Sequence, residues 1–241
     1  YPLIAIAAAM HDLVRENRLV QPKLYFFAPA PYDAQALYEN RIVFVRIPAG
    51  KMRRYSSAQN VMGILKVGLG FLVALFKLFQ VYPDAVMSKG GYGSVPTILA
   101  ARILGIPVVI HESDAKPGRA NLLAGKFAKR IAISFESAAK YFPKDAQSRI
   151  ARTGVPIRKA LLRTEAEGAA QYLNLETSLP TVFILGGSQG SARINETVLS
   201  ALPTLVAFAN IVHQGGKANI ASVTAVADVT RLGLKLTPEQ V

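Results

Sequence analysis

Apolar residues along the 241-residue chain fall into two alternating kinds of run. Short runs rich in β-branched and aromatic residues occupy Lys23–Ala28, Ile42–Ile47, Ala85–Ser88, Pro107–His111, Arg130–Ser134, Arg149–Thr153, Thr181–Leu185 and Asn210–His213. Most are apolar throughout, as parallel strands covered on both faces require. Between them, longer stretches at residues 2–18, 57–80, 94–104, 119–128, 189–208 and 217–230 carry the helical period. This alternation predicts a doubly wound α/β sheet.

One local design occurs twice, as strand, glycine pair and helix start. Ala85-Val86-Met87-Ser88-Lys89-Gly90-Gly91-Tyr92-Gly93-Ser94 is echoed by Val182-Phe183-Ile184-Leu185-Gly186-Gly187-Ser188-Gln189-Gly190-Ser191, with Gly186 following Gly90 by 96 residues. The spacing predicts two Rossmann-like domains rather than one continuous sheet. The divide falls near Arg158–Glu167, giving a first domain over residues 1–158 and a second over 159–241.

The segment Val61–Tyr82 approaches the ~20 apolar residues that a bilayer-spanning helix needs, but Lys66 and Lys77 interrupt it. Eleven residues at 100° each set the two lysines about 20° apart on one side of a helix, with Gln59, Gly70 and Gln80 near the same side. Three readings stand: a core helix with one wet edge, an apolar and basic-rimmed surface for an anionic membrane, and a true span, which would strand two ammonium groups in hydrocarbon.

Composition narrows the chemistry. Without cysteine there is no disulfide framework, thiol nucleophile or cysteine-rich zinc site, and three histidines make a His-based metal cluster improbable. A reducing compartment is permitted. The hydrophobic fraction of 51% supplies a packed core and excludes disorder. The net charge of +13 is unevenly placed: residues 1–158 hold 22 Lys and Arg against 9 Asp and Glu, and the remainder holds six of each. A basic first domain suits nucleic acid, an anionic bilayer or a phosphorylated substrate. The aromatic residues are not interleaved with the basic ones as a base-stacking surface would require, which argues against nucleic acid. No secretory leader fits the opening run, because no basic segment precedes it and it continues into His11-Asp12 and Arg15-Glu16.

Ligands of open α/β sheets bind beyond the carboxyl ends of the strands, so the loops that follow strands are the places for chemistry. Gly186-Gly187-Ser188-Gln189-Gly190-Ser191 can bring a diphosphate against free amides at a helix start, or can be a tight turn with Ser188 as its cap. No acidic residue ends the next strand, where His213-Gln214-Gly215-Gly216 stands, so a nicotinamide dinucleotide is disfavoured. The loop Val109-Ile110-His111-Glu112-Ser113-Asp114-Ala115-Lys116-Pro117-Gly118-Arg119-Ala120-Asn121 crowds polar groups at the mouth of a buried strand. This cluster can orient sugar hydroxyls or do acid–base work; equally, Asp114 can cap a turn and His111 can be a satisfied core imidazole. Gly90-Gly91-Tyr92-Gly93-Ser94 is a third phosphate cradle or a plain turn. Arg158 offers a guanidinium fork for a phosphate or a surface ion pair.

In combination these segments are specific. The series from Gly90-Gly91-Tyr92 through His111-Glu112-Ser113-Asp114, Gly154-Val155-Pro156-Ile157-Arg158 and Gly186-Gly187-Ser188-Gln189-Gly190-Ser191-Ala192-Arg193 to His213-Gln214-Gly215-Gly216-Lys217 resembles the MurG family of N-acetylglucosaminyltransferases. The resemblance implies the α/β GT-B fold, two Rossmann-like doubly wound parallel-sheet domains with the second incomplete. It also implies inverting transfer of N-acetylglucosamine from UDP-N-acetylglucosamine to lipid I, giving lipid II for peptidoglycan, with no cofactor and no metal strictly needed. By position, Arg158 and Ser188 match residues that contact the donor. Asp114 stands where the family commonly has Asn, and Val155 where it commonly has the Asn of Gly-Asn-Pro. The first domain then reads as the part that docks peripherally on the cytoplasmic face of the plasma membrane. Lys51, Arg53, Arg54, Lys66 and Lys77 would face anionic lipid, and Phe71, Leu72, Phe76 and Phe79 would enter the interface or pack inward. The family's first strand and glycine-rich loop, with the His often taken as general base, are expected before Tyr1, and further nucleotide contacts after Val241. The chain is therefore expected to be a fragment, inactive alone. Two other classes share features with it: another GT-B enzyme, such as a glycolipid galactosyltransferase or a UDP-sugar 2-epimerase, and a non-catalytic membrane scaffold.

Overall fold

A computed structural model describes residues 2–50, 58–162, 166–187 and 189–234. The chain divides into two compact units, Tyr1–Leu162 and Arg163–Val241. Every strand pairing in both is parallel, as the unbroken apolar runs foretold.

In the first unit, helix α1 (Pro2–Glu16) leads to strand β1 (Leu24–Ala28), the short helix α2 (Ala34–Glu39) and β2 (Ile42–Arg46). Strands β1 and β2 pair with Leu24 opposite Ile42 and Ala28 opposite Arg46. Then come helix α3 (Ala58–Val81), β3 (Val86–Ser88), α4 (Val95–Ile103), β4 (Val108–Glu112), α5 (Arg119–Gly125), β5 (Arg130–Ile133) and β6 (Ile150–Arg152). The last four strands form one sheet in the order β3-β4-β5-β6. The core joins Ile47, Leu78, Ile98, Ile110, Ile131 and Phe142 with a set of alanines, including Ala100, Ala101, Ala124 and Ala128, whose small size lets helices lie close on the sheet. Among the described residues β1 pairs only with β2 and β3 only with β4. Their unpaired edges leave Tyr25 and Met87 each 37% exposed.

Helix α3 turns a strip of small residues inward. Gly63, Gly70, Ala74 and Leu78 are buried, and the Pro48 carbonyl lies so close to Gly70 that a β-carbon there would be 1.8 Å from its oxygen. Backbone contact of this kind selects the face, so Gly70 is buried rather than standing beside the lysines in solvent. The large side chains Leu65, Leu69, Leu72, Phe76 and Phe79 are each more than half exposed. Helix α3 thus joins the core along one narrow strip and leaves most of its large apolar side chains exposed. Phe71 alone among the four phenylalanine and leucine positions singled out above packs on the core. Lys66 and Lys77 are exposed, and Lys77 Nζ donates to Gln80 Oε1 at 3.3 Å. By length and composition Met62–Val81 is apolar enough to cross a membrane. Lys51, Arg53 and Arg54 lie outside the described residues.

The second unit comprises α6 (Ala166–Tyr172), β7 (Thr181–Leu185), α7 (Ala192–Leu205), β8 (Asn210–Gln214) and α8 (Ile220–Leu234). Strands β7 and β8 pair from Thr181 opposite Asn210 to Leu185 opposite Gln214. Here the expectation of two covered faces fails: Phe183 is 62% and Leu185 57% exposed, because a two-stranded sheet has too few neighbours to be enclosed. Asn210 ties the unit together, its amide donating to the Glu176 carbonyl at 2.8 Å while its side-chain oxygen accepts from the Glu176 N–H at 3.1 Å.

Candidate functional site

Strand β4 ends in two buried polar residues, His111 and Glu112, where its apolar run gives out. The Glu112 carboxylate accepts three hydrogen bonds. Oε1 takes the Asp114 N–H at 2.9 Å, while Oε2 takes the Gly118 N–H at 3.0 Å and the Asn121 amide at 2.9 Å. It therefore shapes the whole 112–121 loop from inside. Asn121, buried on α5, also donates to the His111 carbonyl at 3.2 Å. These acceptors fix its amide orientation, which turns Oδ1 toward Gly90 without a partner. His111 Nε2 lies 2.9 Å from the Gly154 carbonyl oxygen. A carbonyl can only accept, so Nε2 carries the proton and Nδ1 is a buried acceptor with no partner. His111 is thus half satisfied, and it tethers the segment that runs from Gly154 to Arg158.

The loop after β3 packs against this cluster. Gly90 has φ +84, and a β-carbon there would lie 2.8 Å from Asn121 Oδ1, so glycine is required on both counts. The Gly90 N–H donates to Ser88 Oγ at 3.0 Å and Ser94 Oγ to the Gly91 carbonyl at 2.9 Å, which fixes the turn. Lys89 Nζ donates to Ser113 Oγ. Burial holds the Lys89 ammonium below its ordinary value of 10.5, and the charges of Glu112 and Asp114 oppose that shift. Lys89 also lines a cavity of about 200 Å³ shared with Leu3, Ile4, Phe26 and Tyr32.

In the second unit the loops after β7 and β8 meet backbone to backbone. Gly190 has φ +72, and a β-carbon there would sit 2.0 Å from the Gly215 carbonyl oxygen. The same oxygen accepts from the buried Asn195 amide at 2.9 Å and from Asn219 at 3.2 Å. Ser191 caps α7, its Oγ accepting from the Ile194 N–H at 3.5 Å. Helix α7 begins at Ala192, which corrects the reading of Ser188 as its cap. His213 sits near the end of β8 with Nε2 buried and unpartnered, and burial pushes its imidazole below the ordinary value of 6.5. The result is an amide-rich glycine turn before a 14-residue helix, suited to an anion.

Of the residues singled out from sequence, Asp114 is exposed at the β4 loop, held through its N–H by Glu112. Arg158 is exposed at the end of the first unit, and the adjoining Lys159 Nζ bonds Asp12 of α1 at 2.6 Å. That pairing lowers the Asp12 carboxyl. Ser188 lies outside the described residues. The cluster that does assemble is Lys89, His111, Glu112, Ser113, Asp114 and Asn121. Sequence reasoning had Lys89, Asn121 and Asn195 inside its motifs and gave none of them a role of its own, although Lys89 stands directly before a glycine pair.

The glycosyltransferase family 28 N-terminal domain matches residues 1–133, and the glycosyltransferase family 28 C-terminal domain matches residues 181–237. The UDP-N-acetylglucosamine–N-acetylmuramyl-(pentapeptide) pyrophosphoryl-undecaprenol N-acetylglucosamine transferase of Treponema denticola is 41% identical over 177 residues, 73% of this chain and 45% of that protein. The chain thus spans about half the length of the curated relatives it matches. Among solved structures, Acinetobacter baumannii MurG superposes with a TM-score of 0.61 at 24% identity, covering 96% of this chain and 59% of that one. UDP-GlcNAc 2-epimerase from Neisseria meningitidis, bound to UDP-GlcNAc, gives 0.62 at 14%, covering 95% and 66%. These two likenesses establish a shared α/β fold of GT-B type. With glycine loops after β3 and β7, a polar cluster at the mouth of β4, and the N-terminal family pattern running over more than half its length, the chain belongs to glycosyltransferase family 28.

Proposed function

We propose that the protein containing this chain is an inverting N-acetylglucosaminyltransferase that moves N-acetylglucosamine from UDP-N-acetylglucosamine to lipid I, forming lipid II. The observation that carries this reading is the 41% identity with the T. denticola transferase, set beside a site whose parts suit each step. The acceptor's 4-hydroxyl gives up its proton to a general base as it attacks the anomeric carbon, the bond to UDP breaks, and negative charge grows on the leaving diphosphate. Amides of the glycine turn before α7, with Ser188, would stabilise that charge; the Arg158 guanidinium by itself suits a phosphate contact. The Asp114 carboxylate only accepts hydrogen bonds, so its partners would be sugar hydroxyls.

The exposed apolar face of α3, with Lys66 and Lys77 alongside, supports docking of the first unit on an anionic, cytoplasmic membrane surface, where a lipid-borne acceptor is met. The unpaired edges of β1 and β3 support a strand before Tyr1 that joins the two sheets, since a doubly wound sheet carries its first strand between those positions. The test is acceptor competition in the intact protein. Radiolabel from UDP-N-acetylglucosamine is expected on a lipid I analogue and not on diacylglycerol; labelled diacylglycerol would overturn the reading.

A further inference from the structure

Arg158 is carried by a stretch with no regular structure of its own. Residues 153–158 belong to no helix or strand, and Pro156 has no N–H to give. A side chain on such backbone is only as well placed as the points at which the backbone is held. Two side chains from elsewhere in the first unit hold it, one on each side of Arg158. Ahead of it, the buried His111 donates from Nε2 to the Gly154 carbonyl oxygen at 2.9 Å, where Gly154 turns the chain with φ +73. Behind it, Lys159 Nζ reaches Asp12 Oδ2 of α1 at 2.6 Å. The Asp12 side chain is only 27% exposed against 68% for Lys159, so the carboxylate is the fixed partner and the lysine the one it captures. Arg15, on the same helix as Asp12, lies farther off at 3.9 Å and gives no tie to the stretch. The Leu161 N–H then donates to the Arg158 carbonyl at 2.9 Å, which closes the far end in a tight turn.

We propose that residues 154–159 act as a strap whose two pins, His111 at Gly154 and Asp12 at Lys159, are positioning residues for the Arg158 guanidinium. The inference rests on the proposed function in one respect, the contact of Arg158 with a phosphate of the nucleotide. Neither pin touches substrate in this account. A guanidinium fork meets a phosphate through two parallel N–H bonds, and that geometry tolerates little drift of the backbone that carries it. A lysine–carboxylate pair at a surface adds little to the stability of a whole domain. Its effect here is local: with Lys159 held to α1 and Gly154 held to β4, the residue between them has few places to lie.

UDP is the probe, titrated calorimetrically into the intact protein and its variants. Asp12→Ala and Lys159→Ala are each expected to weaken UDP about threefold, the scale of one surface ion pair, with Lys159→Arg close to the unaltered protein. His111→Phe, which keeps a ring but loses the donor, is expected to weaken UDP about fivefold, and His111→Gln, which restores an N–H near the same place, to recover most of that loss. In turnover, Asp12→Ala is expected to raise KM for UDP-N-acetylglucosamine about threefold while kcat and the acceptor KM stay near their unaltered values. The deciding arm repeats Asp12→Ala and Lys159→Ala in an Arg158→Ala background, where neither is expected to weaken UDP further, because the side chain they position is gone. Effects of the same size with and without Arg158 would overturn the proposal, as would full UDP affinity in Asp12→Ala and Lys159→Ala when Arg158→Ala alone weakens it. Asp12 and Lys159 lie at the surface, so their variants decide the matter even where a buried change at His111 costs folding. If Arg158→Ala leaves UDP affinity unchanged, the strap falls together with the phosphate contact of Arg158, while acceptor competition still decides the transferase reading separately.

Discussion

Three N–H groups converge on Glu112 in a place with little water to replace it. Glu112→Ala strands those donors at 1–3 kcal/mol each, less whatever entering solvent recovers, so a loss of about 3 kcal/mol is expected in urea unfolding of the first unit. An unchanged midpoint would show that the loop is held by something else. His213 makes a pH prediction. Its folded value lies below 6.5 because burial disfavours the charged form. The unfolded chain therefore binds more protons below about pH 6.5, and stability falls as pH drops from there toward the folded value. His213→Phe should flatten that part of the profile relative to the unaltered chain in thermal unfolding at pH 7.5 and 5.5; matching slopes would contradict it. On the proposed reading, Arg158→Ala in the intact protein is expected to raise KM for UDP-N-acetylglucosamine about tenfold, with Ser188→Ala acting in the same direction and acceptor KM little changed. The loops that carry Asp114, Arg158 and Ser188 were legible because glycine, proline and polar residues mark the ends of strands, whereas a role for each came only from the resemblance to the family. Asn121 and Asn195 were not, since an Asn within a helix gives no local sign that its amide will hold a neighbouring loop. Lys89 gave none either, because its meaning depends on Ser113, 24 residues away.

Among the described residues all eight strands lie within a residue or two of where continuous apolar runs placed them; in the β3–β6 sheet the run answers to burial on both faces, whereas β7 and β8 keep it with much of their surface exposed. The missed elements are short. Helix α2, with six residues behind its Asp33 cap, is too brief to show a helical period, and the seven-residue α6 begins at the end of the stretch read as the divide between domains. Helix α7 starts late because Ser191, not Ser188, caps it. In α3 the length was legible and the facing was not. Hydrophobic periodicity cannot announce that glycine and alanine, rather than leucine and phenylalanine, will take the core side. Two substitutions separate the faces. Gly70→Val meets the Pro48 carbonyl and should cost about 2 kcal/mol or more in unfolding. Leu72, Phe76 and Phe79 changed together to Ser should leave stability intact and abolish most binding to vesicles rich in phosphatidylglycerol, and Lys66→Glu with Lys77→Glu should weaken it further. Vesicle binding that survives both changes would remove α3 from the membrane role. The β1 and β3 edges make a separate prediction: amides of Tyr25–Phe27 and Val86–Ser88 should exchange more slowly in a chain extended before Tyr1 than in the 241-residue chain. Equal exchange rates would count against a joining strand.

Charge separates the two halves of the molecule. The first carries all of the net +13 and the apolar helix face, while the second is neutral and holds the glycine turn before α7. The proposed reading gives that division a use: a first half that meets an anionic lipid surface and a second that handles a nucleotide sugar. The fold alone does not choose between transfer and epimerisation, because a 2-epimerase superposes on this chain as well as a transferase does. Acceptor dependence does choose. Proton NMR of UDP-N-acetylglucosamine incubated with the intact protein should show UDP released, and a β-linked disaccharide formed, only when a lipid I analogue is present; conversion of the nucleotide sugar to its 2-epimer without acceptor would contradict the transferase reading.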